Sequence, residues 1–170
     1  DTRFPGAALI CAPNLTVKER LQVLRPDRPD SYYEEFDIVP NTLKPELKKG
    51  KVLVTNWHTF LPESENKSFD GSHRVVQKGE ESPEAFARKR LGGLYDEGSL
   101  MVLNDEAHHA HRYSSEDEST VWITGLDKIN NACGIDLCVD LSATPFFLQS
   151  REFPEGTPFP WIVSDFGLVD

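Results

Sequence analysis

Two carboxylates standing side by side, Asp105 and Glu106, are the residues in this chain best suited to chemistry. They follow the apolar run Leu100, Met101, Val102, Leu103 and lead through Ala107 into His108. A run of that kind reads as a buried β-strand, and in parallel α/β sheets ligands sit beyond the carboxyl ends of the strands. Burying neighbouring carboxylates without a counter-charge is strongly unfavourable, and a divalent cation is their natural partner. In an ATPase, Asp105 would hold magnesium through water, and Glu106 would orient or deprotonate the attacking water. His108 would lie one step outward, able to report the state of the site to a neighbouring element. The plainer alternative is a surface helix that opens with acids at its favourable N-terminus.

A second group, Asp140-Leu141-Ser142-Ala143-Thr144-Pro145, also ends an apolar run. Its hydroxyls, Ser142 and Thr144, can hydrogen-bond to groups above the neighbouring strand end, His108 included. Taken alone, Ser-Ala-Thr-Pro is equally a strand-ending turn. A different chemistry is open to Asp105, His108, His109 and His111, which are all zinc-competent residue types. On a helix, however, His108 and His109 point about 100° apart, and only His108 with His111 share a face. No zinc is therefore expected, and a metal-binding module stays as an alternative.

Short apolar runs separated by helical or polar stretches must position these groups. Residues 7–11, 51–56, 100–103 and 137–141 read as buried strands, and residues 37–39 as a further short one closed by Pro40. Thr16-Val17-Lys18-Glu19 fits a capping box, with Val17, Leu21 and Leu24 at helical spacing and Pro26 as the stop. Pro83 opens a helix that Gly92-Gly93 ends, and another helix is expected near residues 121–129. Residues 62–82 read as a polar insertion. Strands alternating with helices predict an α/β domain with a parallel sheet.

The 170 residues suit one domain, and no apolar run approaches the eighteen or so needed to span a bilayer. Cys11, Cys133 and Cys138 form no CxxC pair and leave an odd number, which favours a reducing, cytoplasmic setting. Lys and Arg number 18 against 28 Asp and Glu, giving a net charge of −10. That balance argues against a broad phosphate-binding face. Acidic Glu116, Asp117 and Glu118, with the polar insertion, would also suit a non-catalytic module that docks a basic partner. Trp57, Trp122 and Trp161 are able to stack on bases, but each lies in or near an apolar run, where core packing is the plainer role.

Asp105-Glu106-Ala107-His108 and Ser142-Ala143-Thr144 resemble motifs II and III of the DEAD/DEAH-box helicase superfamily. The wider stretch from Asn104 to Arg112 is similar to the ATPase subunit, Res, of type III restriction enzymes. Ala12-Pro13-Asn14-Leu15-Thr16 resembles motif Ia of that group, and Val54-Thr55-Asn56-Trp57-His58 resembles motif Ib. The segment from Phe159 to Phe166 is similar to the one that leaves the first RecA-like domain there. The resemblance implies a RecA-like three-layer domain, incomplete at its N-terminal strand, over residues 1–150, with 151–170 leading towards a second RecA-like domain. It further implies an ATP-dependent helicase or translocase acting on duplex DNA, with Mg2+ and ATP as cofactors and a modification subunit among its partners. Asn14, Thr16, Thr55 and Asn56 would face one strand's sugar-phosphate backbone. Helix capping and turn formation are the alternative role for Asn14 and Thr16. In that group the nuclease site lies in a later domain.

A Gly-x-x-x-x-Gly-Lys-Ser/Thr loop, whose amides and lysine hold a triphosphate, does not occur in the 170 residues. The only Gly-Lys pair, Gly50-Lys51, is followed by Val52. The sequence is accordingly expected to begin after that loop and to hydrolyse no ATP by itself. Strand order in the family would then leave the 137–141 strand at a sheet edge, liable to pair with another copy.

Overall fold

Among the described residues, four strands of five or six residues form the frame of the protein: β1 (Ala7–Ala12), β2 (Lys51–Asn56), β3 (Leu100–Asn104) and β4 (Ile135–Asp140). The computed structural model describes residues 5–61, 81–111, 118–144, 146, 154 and 156–158. All neighbouring strands pair in parallel, in the order β2-β1-β3-β4. The chain is thus an α/β protein with an all-parallel sheet, as the alternation of runs predicts. Parallel strands need long crossovers, and the segments between them supply α1 (Leu15–Leu21), α2 (Tyr32–Glu35), α3 (Lys44–Leu47), α4 (Pro83–Leu91), α5 (His108–His111) and α6 (Glu118–Cys133).

Register decides which side chains share a face. Leu53, Leu9 and Val102 stand in one row across the sheet, while Val54, Ile10 and Leu103 stand in the next row on the opposite face. Leu9 and Val102 join Leu100, Phe86, Leu91, Trp122, Leu126 and Ile129 in one buried core, so α4 and α6 cover that face. Ile10 and Val54 are buried on the other side, and α1 runs against β1 and β2. β4 is an edge strand whose residues alternate between half-buried and exposed. Among the described residues nothing pairs with its outer edge.

Local chemistry sets the helix ends. Pro83 sits in the first turn of α4, Ser82 Oγ accepts from the Ala85 N–H, and Gly92 closes the helix at φ 54°. Such a backbone angle suits glycine, which has no Cβ to clash. At α1 the cap is two residues earlier than the capping box implies: Asn14, not Thr16, accepts from the Val17 N–H at 3.0 Å. Asn14 wins because its extended backbone and short carboxamide reach that amide directly. Residues 37–39, expected as a short strand, form none; Asp37 has φ 46°, incompatible with extended backbone. The polar insertion falls almost wholly outside the described residues, as does most of 151–170.

Gly125, in the middle of α6, lets that helix lie against Phe60. A Cβ built there would meet three atoms of the Phe60 ring and stem at 2.5–2.8 Å. Phe60 is only 3% exposed and packs in the core, so it has nowhere to retreat. Glycine ordinarily weakens a helix by about 0.5–1 kcal/mol relative to alanine, but overpacking a core costs about 1–3 kcal/mol. Gly125→Ala is therefore expected to destabilise the protein, by roughly 1–2 kcal/mol net, as measured by urea unfolding. A stability equal to or above that of the parent chain would mean that α6 does not approach Phe60 this closely.

Candidate functional site

Because every strand runs the same way, the sheet delivers all the candidate residues to one edge. Asn14 and Thr16 follow β1, Thr55 and Asn56 end β2, Asp105 and Glu106 follow β3, and Ser142 and Thr144 follow β4. The order β2-β1-β3-β4 places the acids between the Asn14 and Ser142 sides.

The acid turn is pinned on both flanks. The Asp105 N–H donates to the Cys11 carbonyl at the end of β1, at 2.9 Å, and the Ala107 N–H donates to the Leu141 carbonyl beyond β4, also at 2.9 Å. Between these two anchors Glu106 adopts φ 50°. Left-handed backbone costs a non-glycine residue about 1–2 kcal/mol, and such strain persists where the surroundings over-determine it, commonly at functional sites. A residue chosen for stability alone at this position would be glycine.

Side chains then gather above the turn. Glu106 Oε2 lies 3.2 Å from His108 Nδ1, and the same nitrogen lies 2.8 Å from Ser142 Oγ. Ser142 Oγ also accepts from the Thr144 N–H at 3.0 Å, which folds the Ser-Ala-Thr loop back over the histidine. His108 is buried, at 7% exposure. Asp105 is half-buried, and burial, followed by the charge of Glu106, raises its carboxyl above the ordinary carboxylate range. No Lys or Arg pairs with Asp105 among the described residues. Two acids of which one is pushed towards its neutral form are a donor set that a divalent cation would suit.

The remaining predicted residues fare differently. Asn14 spends its side-chain oxygen on capping α1, and Thr16 is exposed beside it. Thr55 and Asn56 are buried, at 5% and 3% exposure. Thr55 Oγ1 donates to Thr59 Oγ1 at 2.8 Å, and Asn56 Nδ2 lies 2.9 Å from His58 Nδ1. They brace the turn that follows β2. Arg90 of α4 grips the same turn by donating to the Thr59 and Leu61 carbonyls at 2.7 and 3.1 Å. Among the described residues the three histidines of α5 turn to different partners. His108 meets Glu106 and Ser142, His109 Nδ1 meets Glu118 at 3.4 Å, and His111 Nε2 meets Asp140 at 2.8 Å. Among the described residues these contacts do not bring the three rings to a shared point. Trp122 is core, fully buried, while Trp57 stacks on His58 at 3.9 Å and Trp161 lies outside the described residues.

Three residues near the acids, Asn104, Asp140 and His111, are tied to one another in a way that the motifs containing them do not announce. Asn104 is 2% exposed, accepts from Trp122 Nε1 at 3.1 Å and donates to Asp140 Oδ1 at 2.8 Å. A polar residue closing an otherwise apolar strand was the available signal. Burial by itself would raise the Asp140 carboxyl, but hydrogen bonds from His111 and Asn104 outweigh it and hold the group below the ordinary carboxylate range.

No family model, curated protein or solved structure matches this chain. Among the described residues no helix is long and apolar enough to cross a membrane.

Two outcomes are expected of the site as a folded object. Glu106→Gly should be more stable than Glu106→Ala by about 1 kcal/mol, since only glycine relieves the left-handed strain; alanine equal to glycine in thermal melts would deny the strained turn. Asp140, with its carboxyl lowered in the folded state, stabilises the fold above its unfolded value, about pH 3.9. That contribution is lost as pH falls through the lower folded value. Asp140→Asn should therefore flatten the fall of melting temperature on the acid side of about pH 4, and an unchanged acid limb would contradict this.

Proposed function

We propose that this chain is part of an ATP-dependent DNA helicase or translocase of the Res class, built on a RecA-like domain. It would supply the hydrolytic acids and the coupling loop. The observation that carries the proposal is the contact chain from Glu106 through His108 to Ser142. It joins the turn after β3 to the loop after β4, the two segments that resemble motifs II and III.

In this reading Asp105 would help hold Mg2+, which would supply charge stabilisation at the phosphates, and Glu106 would orient the attacking water and take its proton. A carboxylate 3.2 Å from an imidazole can pass the proton's charge change to it. His108 then shifts its bond with Ser142, and the change leaves the site along the Ser142–Thr144 loop. Nucleic-acid contact would come from the exposed Thr16 and the amide nitrogen of Asn14, with Thr55 and Asn56 holding the neighbouring turn in shape. Small polar groups and backbone amides contact phosphates without a large positive charge, which is compatible with a net charge of −10. The phosphate grip and an arginine for the γ-phosphate would come from other segments, the second RecA-like domain among them.

Mn2+, as a paramagnetic stand-in for Mg2+, tests the site directly. Millimolar Mn2+ should broaden the amide resonances of Asp105, Glu106 and Ala107 first, and Asp105→Asn should abolish that selectivity. Broadening centred on the Asp27–Asp30 region or on other surface acids would sink the assignment. In a form of the protein that hydrolyses ATP, Glu106→Gln should lower kcat about 10²–10⁴-fold. The 170-residue chain alone should release no phosphate. Turnover by it that Glu106→Gln abolishes would overturn the assignment of the phosphate grip to another segment.

A further inference from the structure

The polar groups beneath the acid turn form a line that the proposed chemistry does not use. Trp122 Nε1 donates to Asn104 Oδ1 at 3.1 Å, Asn104 Nδ2 donates to Asp140 Oδ1 at 2.8 Å, and Asp140 Oδ2 lies 2.8 Å from His111 Nε2. The line crosses four elements: α6, the end of β3, the end of β4 and the end of α5. Its placement along the chain is the informative part. Asn104 immediately precedes the acid pair, and His111 ends the helix that follows it, so one carboxylate holds both ends of residues 105–110. Asp140 also stands two residues before Ser142, whose hydroxyl meets His108.

Register makes this possible. Asn104 and Asp140 are direct partners across the parallel pair β3 and β4, with side chains on the face covered by α6. Trp122 is fully buried and Asn104 nearly so, and buried polar groups of this kind are retained only when satisfied. Every step here is satisfied by another member. An apolar residue in place of Asn104 would pack well but would leave the indole N–H without a partner, and the two strand ends would lose their tie.

We propose that Asp140 is a positioning residue: through Asn104 and His111 it fixes the acid turn relative to the Ser142 loop, so that Glu106, His108 and Ser142 keep their contact. This rests on the ATPase reading for its purpose, though not for its geometry. Its consequence is that displacing Asp140 disturbs His108, a residue Asp140 does not touch in the line described.

Nuclear magnetic resonance of the 170-residue chain tests it, without nucleotide or magnesium. The Trp122 indole ¹H–¹⁵N signal and the His108 ring nitrogens are followed in Asp140→Ala, Asp140→Asn, His111→Ala and Ile129→Val. Asp140→Ala is expected to shift both the Trp122 indole and the His108 Nδ1 signals away from their hydrogen-bonded positions. Asp140→Asn, which keeps an acceptor for Asn104 but turns its NH2 towards His111, should restore most of the Trp122 signal and leave His108 shifted, as His111→Ala does. His111 is partly exposed, with 23% of its side chain accessible. Its alanine variant tests the outer link should Asp140→Ala fail to fold, and it should shift His108. Ile129→Val trims the same core on α6 and lowers stability, but should move neither signal. A Trp122 shift with His108 unmoved in both relay variants, or equal His108 shifts in Ile129→Val, would overturn the proposal. Because no nucleotide enters, such a failure leaves the ATPase reading standing, while a failed Mn2+ test leaves the relay standing.

Discussion

The site depends on one constraint: Glu106 is held in left-handed backbone by hydrogen bonds to the strands on either side of β3. The Asp105 N–H reaches back to Cys11 and the Ala107 N–H reaches forward to Leu141. Either bond alone would leave the turn free to relax towards ordinary backbone. Together they anchor residues 105 and 107 on either side of the left-handed Glu106. That requires β1 and β4 to end level with β3, which in turn requires parallel strands in fixed register. The conformation of a single catalytic candidate is thus set by the layout of the whole sheet.

From this follows the division of labour between the two faces and the edge. The core face is apolar until Asn104, where Trp122 and Asp140 take over and the packing becomes polar. Burying its inner members, Trp122 and Asn104, is worthwhile only when each is satisfied, since a half-satisfied network is costlier than an apolar one. Gly125 serves the same end by letting α6 come close, so that Trp122, one turn earlier, reaches the strand end. Stability lies in the lower core, and geometric precision in the layer just below the acids.

Much of this was legible in the residues. The run 51–56 and the helix Pro83–Leu91 match the structure residue for residue, because a continuous apolar run and a Pro-to-Gly bracket are strong local signals. The parallel arrangement followed from alternation, and the strand-end placement of Asp105, Glu106 and Ser142 followed from the parallel arrangement. What local signals missed was competition between neighbours. Asn14 displaced Thr16 as the helix cap, and Asp37 took a positive φ where Ile38 and Val39 suggested a strand. Nor did local signals give the hydrogen bonds of Thr55 and Asn56 to Thr59 and His58. Asp140 was hidden for a different reason. Its importance comes from pairing 36 positions away with Asn104, and no spacing along the chain announces such a register.

Asp140 and Asp105 sit in opposite electrostatic surroundings. Asp140 is a carboxylate that the fold welcomes: two donors hold it charged and its pairing adds stability. Asp105, one residue beyond Asn104, is the opposite case, raised by burial and by the carboxylate beside it and paired with no cation among the described residues. Glu106 adds backbone strain to that penalty. A protein that needed only a rigid turn here would lose both costs by carrying glycine and asparagine. Keeping two acids where the fold resists them makes sense if a charge from outside the chain completes the site. Under the reading proposed above, a hydrated Mg2+ would supply a charge of that sign with a preference for carboxylate oxygen.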